Sequence, residues 1–148
     1  MNKSFYIRRY READRAEVLR IWYKESLESH FFIPAKFWAE HLEALKNRYL
    51  PEAETFVAES DGQILGFISL MGNYVGALFV DGKYQRQGIG WALVNFAHKS
   101  KGSRFVDVYK ENSHARIFYK SYGFEEKREK IQPETGHTLI TMYVGEKV

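Results

Sequence analysis

The chain has 148 residues, 45% of them hydrophobic, with 11 Phe, 10 Tyr and 3 Trp, which is enough apolar material for a buried core in one domain spanning 1–148. Its formal net charge of +3 comes from 22 basic and 19 acidic residues dispersed along the sequence; this argues against a nucleic-acid specialist and suits a polyanionic small molecule. Without cysteine there is no disulfide, no thiolate-bound zinc and no cysteine nucleophile, and a reducing, cytoplasmic setting is expected.

In chain order, "FYIRRY" (5–10) alternates and predicts a first strand. The start "MNKSFYIRRYREADR" lacks the apolar core of a signal peptide. No apolar run approaches the roughly 18 residues of a membrane span, so no membrane partner is expected. Val18, Leu19, Trp22, Tyr23 and Leu27 fall near helical spacing, and Glu12 and Asp14 suit the first turn of that helix. Pro34 suits the start of a second helix over 34–49, with Phe37, Trp38, Leu42, Leu45 and Tyr49 as its apolar stripe and Pro51 as its stop. "ETFVAES-DG-QILGFISLM" reads as two strands joined by a two-residue turn, and "NYVGALFVD" as a third strand in which Gly76 marks a bulge or a close backbone approach.

A helix over about 88–100 follows, buried through Ile89, Ala92, Leu93, Phe96 and Ala97. "SRFVDVYK" (103–110) is a strand, parallel to 74–81 by the crossover rule. A short helix then carries Ala115, Phe118, Tyr119 and Tyr122 on one face, capped by Asn112 and ended by Gly123. The charged "EEKREK" (125–130) fits a solvated edge, and a turn at Pro133–Gly136 leads to a last strand, "HTLITMYV". The order β-α-α-β-β-β-α-β-α-β-β predicts an α+β, three-layer fold: a mixed, mostly antiparallel sheet of about six or seven strands with about four helices.

Between the third strand and its helix stands "KYQRQGIGWAL" (83–93). A helix start offers unpaired N–H groups and partial positive charge, and glycines let an anion come close. The stretch is neither G-x-x-x-x-G-K-[ST] nor G-x-G-x-x-G, so by itself it fits a packing turn as well as a phosphate site.

Three stretches together resemble the GNAT superfamily of acyl-CoA N-acyltransferases over nearly the whole chain. They are "ALFVDGKYQRQGIGWALV", with Gln85-Arg86-Gln87-Gly88-Ile89-Gly90 at the family's Q/R-x-x-G-x-G/A core; "VDVYKENSHARIFYKSYGF", matching N-x-x-A-x-x-F-Y-x-x-x-G-F from Asn112 to Phe124; and the opening helix "READRAEVLRI". The resemblance implies acetyl-CoA as cosubstrate, its pyrophosphate on the amides of Arg86, Gln87, Gly88, Ile89, Gly90 and Trp91, and its pantetheine arm along Leu78, Phe79 and Val80. The two glycines and the helix start would carry this role, with the glutamines and the Trp91 side chain more open to substitution.

Tyr119 matches a general acid for the departing thiolate, and also reads as a core aromatic. Asn112 matches a coenzyme contact or a helix cap. For the base the resemblance points to Asp107, one methylene shorter than a glutamate used by relatives. His30, between the first two helices, is suited by imidazole chemistry, and Glu59 is a third choice. Phe31, Phe32 and Trp38 would wall the acceptor pocket. "HLEAL" is not H-E-x-x-H, so no metal is expected.

With neither cysteine nor G-x-S-x-G, direct transfer in a ternary complex is expected, to a protein or peptide α-amine, a lysine or a small amine. A non-catalytic acyl-CoA-binding module and an aminoacyl-tRNA acetylase are the alternatives. The chain is expected to act as a monomer, or as a homodimer through an exposed last strand.

Overall fold

The computed structural model describes residues 4–146. Strand β1 (Tyr6–Arg9) leads through a 3-10 turn, Glu12–Asp14, into helix α1 (Arg15–Ser29). Asp14 sets this entry. Its carboxylate accepts the Arg11 N–H at 2.8 Å and a two-pronged bond from the Arg8 guanidinium at 2.8 and 2.9 Å. Those bonds, Arg8 first, hold its pKa below the ordinary carboxylate value despite burial.

Helix α2 (Ala35–Ala44) begins after Pro34 and does not stop before Pro51. A π turn, Leu45–Tyr49, and a further helical turn, α3 (Leu50–Glu52), carry it through the proline. Proline lacks an N–H and its ring crowds the carbonyl four residues earlier; the wider π turn relieves that crowding. It also inserts one residue, so Leu50 takes the inward position expected of Tyr49. Leu50 is buried and Tyr49 is exposed.

Strands β2 (Glu54–Ser60) and β3 (Gln63–Met71) form the expected hairpin, with φ of 49° at Asp61 and 78° at Gly62, as a primed two-residue turn requires. Strand β4 (Tyr74–Val80) carries the bulge. Ser69 pairs with Ala77 and Leu70 with Val75, which leaves Gly76 as the extra residue. Helix α4 (Ile89–Lys101), strand β5 (Phe105–Tyr109), helix α5 (Ser113–Tyr122) and strands β6 (Glu125–Ile131) and β7 (Thr138–Tyr143) complete the order. Asn112 caps α5 through its side-chain oxygen, 3.1 Å from the Ala115 nitrogen, and Gly123 ends it with φ 129°.

The sheet has seven strands in the order β1-β2-β3-β4-β5-β7-β6. All pairs are antiparallel except β4 with β5. Strand β7 therefore lies inside the sheet, hydrogen-bonded on both sides, and the expected exposed last strand is not there. The edge is the charged β6. Pairing at that end joins residues far apart in sequence, which local pattern does not reveal.

One face packs Leu65, Ile68, Val106, Val108 and Met142 against α4 and α5. The other packs Val57 and Phe67 against Val18, Ile21 and Trp22 of α1 and Trp38 of α2. Two apolar layers thus clamp the sheet from both sides.

Candidate active site

The parallel strands β4 and β5 register at only two points, Tyr74 with Phe105 and Val75 with Val106. Beyond the Gly76 bulge they part, and a cleft of about 790 Å³ opens between them. On its far side β4 stays paired with β3. Asp81 donates its N–H to the Leu65 carbonyl at 2.8 Å, and Val80 lies opposite Gly66, Phe79 opposite Phe67 and Leu78 opposite Ile68. Antiparallel pairs alternate between bonded and non-bonded, so the main-chain groups of Leu78 and Val80 face the cleft. The Val80 carbonyl there accepts the Gln85 side-chain amide at 3.0 Å.

At one end of the cleft lies the loop before α4. Gly88 has φ 84° and Arg86 φ 63°, both left-handed. For Arg86 this costs roughly 1–2 kcal/mol, a strain that has to be offset by the loop's other contacts. The N–H groups of Ile89, Gly90 and Trp91 form the first turn of α4 and cannot bond within the helix. Gly90 faces Phe118 of α5; a Cβ there would lie 3.5 Å from the ring, in ordinary van der Waals contact.

The loop is braced from α1 by a residue that the sequence reading passed over. Glu25 is 3% exposed, and its carboxylate accepts the Gly82 N–H at 2.9 Å and the Gln85 amide at 3.1 Å. Gln85, read as substitutable, is in fact a strut between Glu25 and β4. Asp81 beside it accepts the Lys83 N–H and is bonded to Arg20 at 2.7 Å. The signal was present in the spacing: Val18, Ile21, Trp22 and Glu25 share one helix stripe, and a carboxylate on a buried stripe must have partners. Replacing Glu25 by Ala is expected to weaken binding of an anionic cosubstrate five- to tenfold, measured by calorimetry, with a stability loss of about 1–3 kcal/mol from the lost hydrogen bonds to its carboxylate.

Tyr119 lines the middle of the cleft from α5. Its ring packs against Phe118 and Phe124 at centroid distances of 5.1 and 5.2 Å. Burial raises its pKa, so the phenol stays protonated at neutral pH. Asn112 lines the cleft as well as capping α5.

At the other end the walls are aromatic. The His30 ring stacks on Trp38 at 5.1 Å and meets Tyr109 edge-on at 5.0 Å. Burial alone lowers its pKa to about 4, so it is neutral at pH 7. Neither of its nitrogens has a hydrogen-bond partner among the described residues, and Nδ1 is fully buried. An unfolded His30 takes up a proton near its ordinary value, while the folded one resists until about 4. Stability from this group is therefore whole above about pH 6.5 and falls as pH drops toward 4, by roughly 3 kcal/mol. Substituting His30 by Phe should flatten that stretch of the stability–pH curve, read by denaturant unfolding.

Asp107 also lines the cleft, but both its oxygens are engaged, one by Thr141 at 2.7 Å and one by Lys130 at 2.9 Å. Glu59 is elsewhere, on the β1–β2 side of the sheet, held by Tyr6 at 2.7 Å and Arg8 at 2.6 Å. It does not line the cleft. Of the proposed pocket walls, Trp38 lines the cleft and Phe32 packs on Tyr109, whereas Phe31 is 81% exposed. The turn between β6 and β7 closes this end. Gln132 accepts the Tyr109 hydroxyl at 2.7 Å, and His137 pairs with Glu111 at 2.6 Å. No cluster of metal-ligating side chains occurs among the described residues.

A cleft between two diverging parallel strands, closed at one end by a glycine loop on a helix start, has counterparts in known proteins. The acetyltransferase (GNAT) domain model matches residues 51–126, which hold β2 through α5 and hence both the loop and Tyr119. The chain belongs to the GNAT family of acetyltransferases. It is an acyltransferase by that membership.

Among its GNAT relatives, the peptidyl-lysine N-acetyltransferase YiaC of Escherichia coli is 36% identical over 118 residues, covering 77% of this chain and 81% of that protein. The peptidyl-lysine N-acetyltransferase YjaB of Salmonella typhimurium is 36% identical over 120 residues, covering 80% and 82%. The solution structure of apo YjaB from E. coli superimposes with a TM-score of 0.84 at 28% identity, over 95% of this chain and 97% of that one. The GNAT fold also extends to a PaiA N-acetyltransferase from Thermoplasma acidophilum solved with coenzyme A, with a TM-score of 0.72 at 18% identity over 93% and 98%.

Proposed function

We propose that the chain, acting as one domain, moves the acetyl group of acetyl-CoA directly to the side-chain amine of a lysine in a peptide or protein. The observation that carries this reading is the continuous cleft. It runs from the helix-start amides of α4, past a protonated buried phenol, to an aromatic end with a neutral imidazole. Relatives at 36% identity are named for peptidyl-lysine acetylation, which favours lysine over a small amine.

In the reaction, the amine nitrogen attacks the thioester carbonyl carbon. The oxygen gains charge beside the Leu78 N–H, a contact of a kind worth roughly 3 kcal/mol in the transition state. The carbon–sulfur bond then breaks, the sulfur takes the Tyr119 proton, and the second proton that the nitrogen sheds as the amide forms restores the phenol through solvent. Pyrophosphate is held by the amides from Arg86 to Trp91, with the Arg86 side chain nearby.

The amine must first lose a proton. His30 is the base of choice because its nitrogens are unengaged, whereas Asp107 would have to surrender a bond to Thr141 or Lys130. With a pKa near 4, His30 relays the proton outward and does not store it. Asp107 serves the aromatic end by fixing Lys130 and Thr141.

The test is thiol release with acetyl-CoA and two peptides. One has a blocked N-terminus and an internal lysine; the other has a free N-terminus and no lysine. Turnover with the first and none with the second is expected. The reverse pattern would move the acceptor to the α-amine, and absence of acetyl-CoA binding in calorimetry would remove the enzyme reading.

A further inference from the structure

Among the described residues, two carboxylates line the cleft, Glu25 beside the loop and Asp107 on β5. Each holds a lysine of this chain. Lys24 Nζ lies 3.6 Å from Glu25, and Lys130 Nζ lies 2.9 Å from Asp107 Oδ2. The second pair sits where an acceptor amine has to arrive. Asp107 is the first residue of β5 beyond the Val75–Val106 pair, where the strands part. On β4, with Gly76 taken up in the bulge, Leu78 stands one strand step farther along, about 3.3 Å. Strand residues alternate faces, so Asp107 shares the face of Tyr109, which meets His30. Lys130 pairs with Leu139, and Leu139 with Tyr109, so the lysine stem starts from that same row. Its side chain is 46% exposed on the edge strand β6, and a four-carbon stem swings there without disturbing the core.

We propose that Lys130 is itself an acceptor: the chain transfers an acetyl group from acetyl-CoA to its own Lys130 Nζ, within one molecule. The inference rests on the donor reading above and adds a modification site to this chain. An ammonium docked on a carboxylate at the acceptor side is the arrangement that any lysine acceptor must reach, and here it is reached without a second molecule. Tethering replaces a bimolecular encounter by bond rotation. In the step, Lys130 sheds one proton to solvent and its nitrogen attacks the thioester carbonyl carbon. The carbon–sulfur bond breaks, the sulfur takes the Tyr119 proton, and the second proton leaving the nitrogen restores the phenol through solvent. The products are an Nε-acetyl group, the free thiol of coenzyme A and a proton. The acetylated side chain carries no charge, so Asp107 keeps its bond from Thr141 and loses its ionic partner. Lys24 is not placed for this step, because it also lies against Asp81, behind the loop before α4.

Intact-mass measurement and peptide mapping decide the matter, on the full chain incubated with acetyl-CoA and no peptide. An acetyl group on Lys130 is expected. Diluting the protein tenfold should leave the rate per molecule unchanged, as a step within one molecule requires. Tyr119→Phe should slow it at least tenfold, which separates transfer in the cleft from chemical acetylation in solution. Lys130→Arg, which keeps a cation for Asp107, should gain no group at that position or elsewhere in the cleft. Acetyl groups spread over several lysines, at equal rates in wild type and Tyr119→Phe, would overturn the assignment. So would a rate per molecule that falls with dilution. A wild-type chain that acetylates the lysine peptide yet leaves Lys130 unmodified would overturn this inference alone, whereas failure to bind acetyl-CoA removes the donor reading itself.

Discussion

Replacing Tyr119 by Phe should lower kcat at least tenfold while leaving the affinity for acetyl-CoA within a factor of two. The substitution removes one oxygen from a buried ring. No hydrogen bond to that oxygen exists among the described residues, so the fold loses nothing when it goes; the packing against Phe118 and Phe124 is kept. Burial holds the phenol protonated, which is the state a general acid needs. General acid catalysis typically supplies about 10²–10⁴ in rate. A thiolate leaves more readily than an alkoxide, so the lower end of that range is expected here. Single-turnover kinetics alongside calorimetry separate the two quantities. If Tyr119 were only a core aromatic, turnover would be unchanged.

The second large effect lies at Gly88. Its φ of 84° is a conformation that a β-branched residue adopts only with strain, at roughly 1–2 kcal/mol. A Cβ built there meets no atom within 4 Å, so any side chain projects beside the α4 amides without damaging the core. Gly88→Val should therefore cost more than a hundredfold in acetyl-CoA affinity and only a few degrees in melting temperature. Gly90 offers a less clean test, because a side chain there would also lie against Phe118 and Val80. Retained affinity in Gly88→Val would return the loop to a packing turn.

The parts of the fold written in local chemistry were readable from sequence. Asp61-Gly62 fixes a hairpin because few dipeptides tolerate two positive φ angles. Gly76 reports a bulge, and Asn112 with Gly123 bounds α5. What escaped depends on partners distant in sequence or on departures from a regular period. Tyr49 fits a 3.6-residue stripe, yet the π turn hands its place to Leu50. Strand β7 looks terminal in the sequence but is central in space.

The candidate site divides in the same way. The glycine loop and Tyr119 stand in motifs, whereas Glu25 shows its purpose only when α1 is laid against the loop. Imidazole chemistry alone nominates His30. Its burial against Trp38 and Tyr109 is a fact of packing that no spacing rule contains.

The short parallel contact between β4 and β5 has a mechanical side. Strands β1 to β4 and strands β5 to β7 form two leaves of one sheet, joined among the described residues by a short main-chain seam of Asn73–Val75 with Arg104–Val106, with the Tyr74 and Phe105 rings stacked 5.1 Å apart as a hinge pin. A pantetheine arm laid along Leu78 and Val80 would act as a stitch between the leaves. Ligand that binds only the folded state adds stability by mass action, about 2.7 kcal/mol at a hundred times its Kd. That gain should appear locally, as slowed amide exchange at Leu78 and Val80 in the presence of coenzyme A, while the amide of Phe79, already tied to β3, changes little.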